Sequence, residues 1–162
     1  MFRRALVAVA AVSFSLVACV SEHASIAAYF EEAQSVGERM VQTSGAFETL
    51  MNQQENPLEW STESKVQLQT TLESMNELRA DADTMSVPEA FKGVHPLLVR
   101  SLDEMIAAIE IIDNIADDPS LATMEKSKEM TQKAENGEKL ANEYVAKLEQ
   151  ILQERYPELL EE

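Results

Sequence analysis

Apolar and small residues recur at alternating spacings of four and three along four segments of the chain, with polar residues between them. The first stripe contains Ile26, Phe30, Ala33, Gly37, Met40, Ser44, Phe47 and Met51, and the second contains Leu68, Leu72, Met75, Leu78, Ala82 and Met85. The third contains Phe91, His95, Leu98, Leu102, Met105, Ile109, Ile112 and Ala116, and the fourth contains Met130, Ala134, Gly137, Ala141, Tyr144, Leu148 and Ile151. A period near 3.5 is typical of helices that pack side by side. The pattern therefore predicts four amphipathic helices.

Proline, asparagine and hydroxyl side chains separate the stripes, and these residues favour helix ends and helix starts. The breaks fall at residues 56–57, 61–62, 86–89, 117–119 and 156–157. They predict helices at about 22–54, 61–84, 88–116 and 119–155, with a capping box and a proline opening the third helix. Connections this short make consecutive helices antiparallel. We expect an all-α, up-down-up-down antiparallel four-helix bundle.

The segment 1–18 has a different composition from the rest of the chain. Arg3 and Arg4 are followed by an apolar run from Ala5 to Ala18 that only two serines interrupt. The run is too short to cross a bilayer comfortably, and small residues stand at its end. This pattern predicts a cleaved export signal at 1–18, followed by a single domain at 19–162.

The tetrapeptide Leu16-Val17-Ala18-Cys19 resembles the lipobox of bacterial lipoproteins. The resemblance implies that the chain is cut before Cys19 and that Cys19 carries acyl chains, such as palmitate, that anchor it to a membrane. Two or more acyl chains hold a protein on a membrane durably. Cys19 is the only cysteine, so an exported chain has no disulfide to form with it. The alternative is an ordinary secretory signal with an incidental cysteine.

The resemblance also implies a location in the cell envelope, outside the cytoplasm. Val20 stands where an aspartate typically retains lipoproteins at the inner membrane. Sorting to the outer membrane is therefore implied if the host has one. Beyond the lipobox, the chain is similar in general pattern to small helical-bundle lipoproteins of bacterial envelopes.

The charge balance excludes several kinds of partner. The formal net charge is −16, and removal of Arg3 and Arg4 with the signal makes it −18. Nucleic acids and anionic lipid surfaces are bound through clustered lysine and arginine, which this chain lacks. We therefore expect no nucleic-acid partner. The expected contacts are the membrane, through lipidated Cys19, and an unknown envelope protein.

The sequence contains no catalytic or cofactor motif that we recognise. There is no Glu-x-x-His pair for a di-iron bundle, no Cys-x-x-Cys-His haem motif, no His-Glu-x-x-His zinc motif, no glycine-rich phosphate loop and no calcium loop. Only two histidines are present. We predict a chain that is not an enzyme, with no catalytic residue, no metal ligand and no cofactor.

His95 is the most unusual residue on the stripes, because leucine or isoleucine would be expected there. Pro96 follows it, and a proline inside the predicted helix removes a hydrogen bond and should kink the helix near residues 93–96. His95 is a candidate ligand or a pH-responsive group. The alternative is a histidine that is hydrogen-bonded to a polar group of a neighbouring helix, or that is rotated to the end of the bundle.

Trp60 and Leu58 lie in the longest connection, residues 52–60. Tryptophan is enriched in binding hot spots, so both residues are candidate partner contacts. The alternative is that Trp60 folds back near Met51 and Val66 and closes the end of the core.

Gly37 and Gly137 fall on the stripes of the first and fourth helices, where glycine lowers helix propensity. Close approach of these two helices is one explanation. The alternative is a local gap lined by Phe30, Met40 and Tyr144. Methionine-rich stripes are typical of adaptable packing, and no methionine cluster suited to copper occurs.

Two functions remain open on these grounds. The first is a lipid-anchored, non-enzymatic module for protein interaction or envelope structure. The second is a carrier or sensor that holds a small apolar ligand or a metal between its helices. A continuous apolar cavity between the first and fourth helices, or a second ligand facing His95, would favour the second function.

Overall fold

The computed structural model describes the backbone of residues 2–54, 56 and 59–157, and side chains within those ranges from Glu22 onward. Over these residues the chain forms four α-helices and no strand. The helices are α1 (Phe2–Gln53), α2 (Thr62–Thr84), α3 (His95–Asp117) and α4 (Met124–Arg155). α3 packs against both α2 and α4, and α1 packs against α2. The predicted all-α four-helix bundle is confirmed.

The structure describes no side chains for three predicted features: the signal 1–18, Cys19 and Leu58. Cys19 and the predicted signal 1–18 lie before Glu22, and α1 begins at Phe2 rather than near residue 22. Leu58 lies outside the described residues.

The start of α2 agrees with its predicted cap. Ser61 has an extended backbone, and its hydroxyl accepts a hydrogen bond from the Ser64 backbone N–H at 3.0 Å. This bond satisfies one of the N–H groups that the first turn of a helix leaves free.

α3 begins later than predicted, at His95 instead of residue 88. A single 3-10 turn, Glu89–Phe91, precedes it and turns the buried Phe91 into the core. Pro96 therefore stands in the first turn of α3, where its missing N–H costs nothing. The predicted kink at residues 93–96 is wrong for this reason.

α4 also begins later, at Met124 instead of residue 119. Asp118 caps a short 3-10 turn, Pro119–Leu121, by accepting from the Ser120 backbone N–H at 3.0 Å. The cap of α4 is Thr123, whose hydroxyl accepts from the Lys126 backbone N–H at 3.2 Å. A capping side chain was available on either side of Pro119, and α4 uses the later one, Thr123.

The buried face of α1 shares Ile26, Ala33 and Met40 with the predicted stripe but differs from it at positions between and after them. Its buried apolar side chains are Ile26, Tyr29, Ala33, Val36, Met40 and Leu50. Phe30 and Gly37, which we placed on the core stripe, are only partly buried. Tyr29 and Val36 take their places in the core.

Ion pairs connect the helices that follow one another in the chain. Arg39 of α1 pairs with Asp81 of α2 at 2.6 Å. Arg79 of α2 pairs with Asp103 of α3 at 2.6 Å, and Lys133 of α4 with Glu104 of α3 at 3.0 Å. Such exposed pairs each contribute under about 1 kcal/mol. Between described residues, no lysine or arginine pair joins α1 to α4.

Candidate functional site

A groove runs between α1 and α4, with side chains of α3 at its floor. We call it the α1–α4 groove, and its volume is about 990 Å³. It is lined by Phe30, Ala33, Gln34, Gly37, Glu38, Met40, Val41, Gln42, Ser44, Gly45 and Glu48 of α1, Leu98 and Met105 of α3, and Glu138, Ala141, Asn142, Tyr144, Val145, Leu148 and Glu149 of α4. From Phe30 to Glu48, it extends about 27 Å along α1 at 1.5 Å per residue.

The groove is open because small residues of α1 face it without a neighbour. A Cβ atom added to Gly37 or to Gly45 would meet nothing within 4 Å. Two valines stand on opposite sides of this gap: Val41 of α1 is 70% exposed and Val145 of α4 is 48% exposed. The bundle thus leaves an apolar face of two helices in contact with water. This gap corresponds to the alternative that the sequence left open around Gly37.

The edges of the groove are acidic. Glu38 and Glu48 of α1 and Glu138 and Glu149 of α4 are exposed and line it. Among the described residues that line the groove there is no lysine or arginine, and none of these four carboxylates forms an ion pair with a described residue. The groove therefore combines an apolar floor with unneutralised negative charge on both sides.

A chain of buried polar groups lies at one end of the groove. The hydroxyl oxygens of Tyr29 in α1 and Tyr144 in α4 are 3.0 Å apart, and the Tyr29 hydroxyl is 3.1 Å from Nδ1 of His95 in α3. The His95 ring also donates a hydrogen bond to the Ala82 carbonyl of α2. A neutral imidazole has one N–H. We infer that Nδ1 accepts from Tyr29, and that Tyr29 accepts from Tyr144. The chain connects all four helices, and Tyr144 also lines the groove.

Burial fixes the protonation states in this chain. It raises the pKa of Tyr29 far above its usual value, and it raises the pKa of Tyr144 as well. It lowers the pKa of His95, and the hydrogen bond to the Ala82 carbonyl offsets only part of this effect. At neutral pH both tyrosines are protonated and His95 is uncharged. A protonated Tyr29 and an uncharged His95 allow the Tyr29 hydroxyl to donate to Nδ1 of His95.

A second contact holds α1 and α4 together beyond the same end. The Tyr156 hydroxyl, just after α4, donates to Glu22 Oε1 at 3.1 Å, and its ring meets that of His23 edge-on with centroids 5.8 Å apart. Tyr29 also stacks on Phe91 of the 3-10 turn that precedes α3, with ring centroids 4.9 Å apart. The two helices therefore meet near Glu22–Tyr29 of α1, and the groove opens from there toward the C-terminal end of α1.

At Gly137, α4 is packed closely against α3. A Cβ atom added to Gly137 would lie 2.8 Å from Met105 Cγ and 3.2 Å from the Ser101 carbonyl oxygen. Gly137 therefore allows α4 to approach α3, not α1. Our expectation that Gly37 and Gly137 mark one close contact between the first and fourth helices is wrong, because the two glycines face different neighbours.

The structure places the predicted site residues apart. His95 contacts Ala82 near the C-terminal end of α2, whereas Trp60 precedes the N-terminal end of that helix. Trp60 is partly buried and packs against the core. Within the described part of the chain, no group of three or more His, Cys, Asp or Glu side chains is placed to hold a metal ion. In that same part, no helix has a stretch long and apolar enough to cross a membrane.

Tyr29 is the central residue that sequence reasoning missed. Its signal was present, because Ile26, Tyr29, Ala33, Val36 and Met40 also alternate at spacings of three and four. We followed Phe30 and Gly37 instead, since both registers give a plausible stripe. Phe30 and Gly37 line the groove, so the chosen register described the open face of α1.

Comparison with known proteins gives no relative from which a role could be transferred. The chain shows no significant match to a family model, to a curated protein or to a solved structure.

Proposed function

We propose that this chain is a lipid-anchored, non-enzymatic envelope lipoprotein that acts as a protein-interaction module, with the α1–α4 groove as its binding site. The anchor is the lipidated Cys19 that the lipobox resemblance implies. The observation that carries the interaction role is the groove, an apolar floor left open along about 27 Å of α1.

The exposure of the groove supports this role on energetic grounds. Burial of apolar surface contributes about 25 cal/mol per Å², so the bundle would gain stability if α1 and α4 closed on each other. Gly37 and Gly45 leave room for such closure, and the valines at the edges remain in water. Apolar faces of this kind on soluble domains mark interaction sites.

A second candidate function is a carrier for a small apolar ligand. The same apolar floor supports it, because a volume of about 990 Å³ lies in the range of ligand sites. The two candidates share the site and differ in the size of the occupant.

One experiment separates the two. A photo-crosslinking amino acid is introduced at Val145, inside the groove, and at Val66, which is 56% exposed on α2 outside it. Cells are irradiated intact, and the extracted protein is weighed by mass spectrometry. A second polypeptide joined at Val145 but not at Val66 supports the interaction module, and a small adduct supports the carrier. Equal adducts at both positions, or none at Val145, would overturn the groove as the site.

The anchor is tested separately. Cys19→Ser should move the protein from the membrane fraction to the soluble fraction, and the wild-type mass should equal residues 19–162 plus acyl chains. A wild-type mass without acyl chains would contradict the lipoprotein assignment. The groove experiment is independent of this result.

A further inference from the structure

We propose that the occupant of the α1–α4 groove is an amphipathic helix of another protein, with an apolar face and lysine or arginine residues flanking it. This inference rests on the proposed function and specifies the partner by its chemistry.

The shape of the groove favours a helix over a small ligand. Small-molecule sites enclose most of the ligand surface. Here, Val41 and Val145 stand largely exposed on the two sides, so a small apolar ligand would leave much of its surface in water. A helix that lies lengthwise buries one face in such a groove and keeps its other face hydrated, which is a common mode of peptide recognition. About 18 residues of helix match the 27 Å length.

The charge of the edges selects the flanking residues. Glu38 and Glu48 on one side and Glu138 and Glu149 on the other have no cationic partner among the described residues. Some carboxylates elsewhere between the helices are paired, such as Asp81 with Arg39 and Asp103 with Arg79. Lysine or arginine at the borders of the apolar face of the partner would meet the unpaired glutamates. Complementary potentials of this kind give specificity and raise association rates.

The same charge argues against a second copy of this chain. Two copies that docked through this groove would bring eight glutamates of the groove edges together, and each chain carries a formal net charge of −16 before processing. Like charges opposed across an interface disfavour the complex. The partner is therefore a different, basic segment.

The test uses the full chain as cells process it, held in nanodiscs of zwitterionic phosphatidylcholine, so that basic peptides are not attracted by the lipid. Three fluorescent helical peptides of about 18 residues share one apolar face and differ only in flanking lysine, serine or glutamate. Binding is measured by anisotropy at low and at high salt, with empty nanodiscs as the blank. We expect the lysine peptide to bind at least about tenfold more tightly than the glutamate peptide. This difference in affinity between the two peptides should become smaller at high salt.

Two matched sets of variants locate the binding. Gly37→Leu places a side chain in the open floor and should abolish binding of all peptides, whereas Ala28→Leu, at an exposed α1 position outside the groove, should change nothing. The double variant Glu38→Gln with Glu138→Gln should lower the affinity for the lysine peptide about five- to tenfold and leave the affinity for the serine peptide unchanged. The reason is that each exposed charge pair contributes about a few-fold in affinity. Glu73→Gln with Glu77→Gln on α2 is its charge-matched control.

The outcomes distinguish the two levels of the proposal. Equal affinity of the lysine and glutamate peptides would overturn the basic partner but leave the groove as an interaction site. Binding of a fluorescent fatty acid that Gly37→Leu abolishes, with no binding of any peptide, would assign the groove to a small ligand. No binding of any probe would overturn the groove as a site altogether.

Discussion

α4 packs differently against its two neighbours, α3 and α1. Toward α3 it presents Gly137, whose backbone lies so close that even a Cβ atom would stand 2.8 Å from Met105. Toward α1 it presents Tyr144, Val145 and Leu148, which face a gap where Gly37 has no neighbour within 4 Å of an added Cβ. One helix therefore has a close-packed α3–α4 interface and an open α1–α4 groove, and both are apolar.

Glycine therefore serves opposite purposes at two places in the same bundle. Gly137 removes a side chain so that two helices can touch, whereas Gly37 removes one so that a space remains. An uncovered apolar face beside a well-packed interface is a feature of this bundle and not of loose packing throughout. The polar chain from Tyr144 to His95 supports this view, because it fixes α1 to α4 at the end of the groove.

The largest contrast is expected from a leucine at each glycine. Gly137→Leu should destabilise the protein by about 3 kcal/mol, because overpacking a close interface forces side chains and backbone to shift. Gly37→Leu should change the free energy of unfolding by less than about 1 kcal/mol, since its side chain enters open space. Urea unfolding of both variants measures the difference. Equal losses would show that α1 and α4 lie closer together than the groove allows.

The polar chain at the end of the groove should give the next largest effect. Tyr29→Phe removes the hydroxyl that both His95 and Tyr144 use, and should cost about 2 kcal/mol because two buried polar groups lose a partner. Tyr144→Phe is the matched control. It removes only the outer hydroxyl of the chain and should cost about 1 kcal/mol. A larger loss of stability for Tyr144→Phe than for Tyr29→Phe would contradict the inferred order of the hydrogen bonds.

A pH dependence should follow from His95. Burial lowers its pKa below the ordinary value of 6.5, so the unfolded state binds the proton more readily than the folded state. The contribution of the neutral histidine is therefore present above pH 6.5 and is lost as the pH falls through the lowered pKa. The steepest slope for one proton is about 1.4 kcal/mol per pH unit. Asp83 and Arg79 of α2 act on the ring with opposite sign, and Tyr29 faces it from α1.

The variant His95→Leu isolates this effect. It should reduce the difference in the free energy of unfolding between pH 7.5 and pH 5.5. An unchanged slope in His95→Leu would show that carboxylates, and not this histidine, determine the acid sensitivity. Chemical unfolding at each pH provides the measurement.

The sequence predicted the number and order of the helices because stripes and breaks depend on local chemistry. Ser61 is an example, since a hydroxyl before a polar first turn is enough to place a cap. The start of α3 was not predictable in the same way. Pro88 and Pro96 can each open a helix, and the buried position of Phe91, a tertiary contact, selects the later one.

The groove was visible only as an alternative for a related reason. On α1, two possible stripes share Ile26, Ala33 and Met40 and differ at the positions between them. One follows Tyr29 and Val36 into the core, and the other follows Phe30 and Gly37 into the groove. A pattern of residues does not show which apolar face has a neighbour. Tyr29 was missed on this account, whereas the unusual position of His95 on its stripe was visible without any tertiary information.

The smallest effect, and the finest test of the comparison, is expected from alanine at the two glycines. Gly37→Ala should raise the free energy of unfolding by about 0.5–1 kcal/mol, because alanine favours helix and the added Cβ meets nothing within 4 Å. At Gly137 the same gain in helix propensity is opposed by contacts at 2.8 and 3.2 Å, the second with a backbone oxygen that cannot rotate away, so Gly137→Ala should lower it. Opposite signs in parallel urea titrations would establish that α4 packs closely on α3 whereas α1 leaves open space at the groove. A gain in stability at both glycines would show that the α3–α4 contact is also loosely packed, and would remove the reason to regard the α1–α4 groove as distinct.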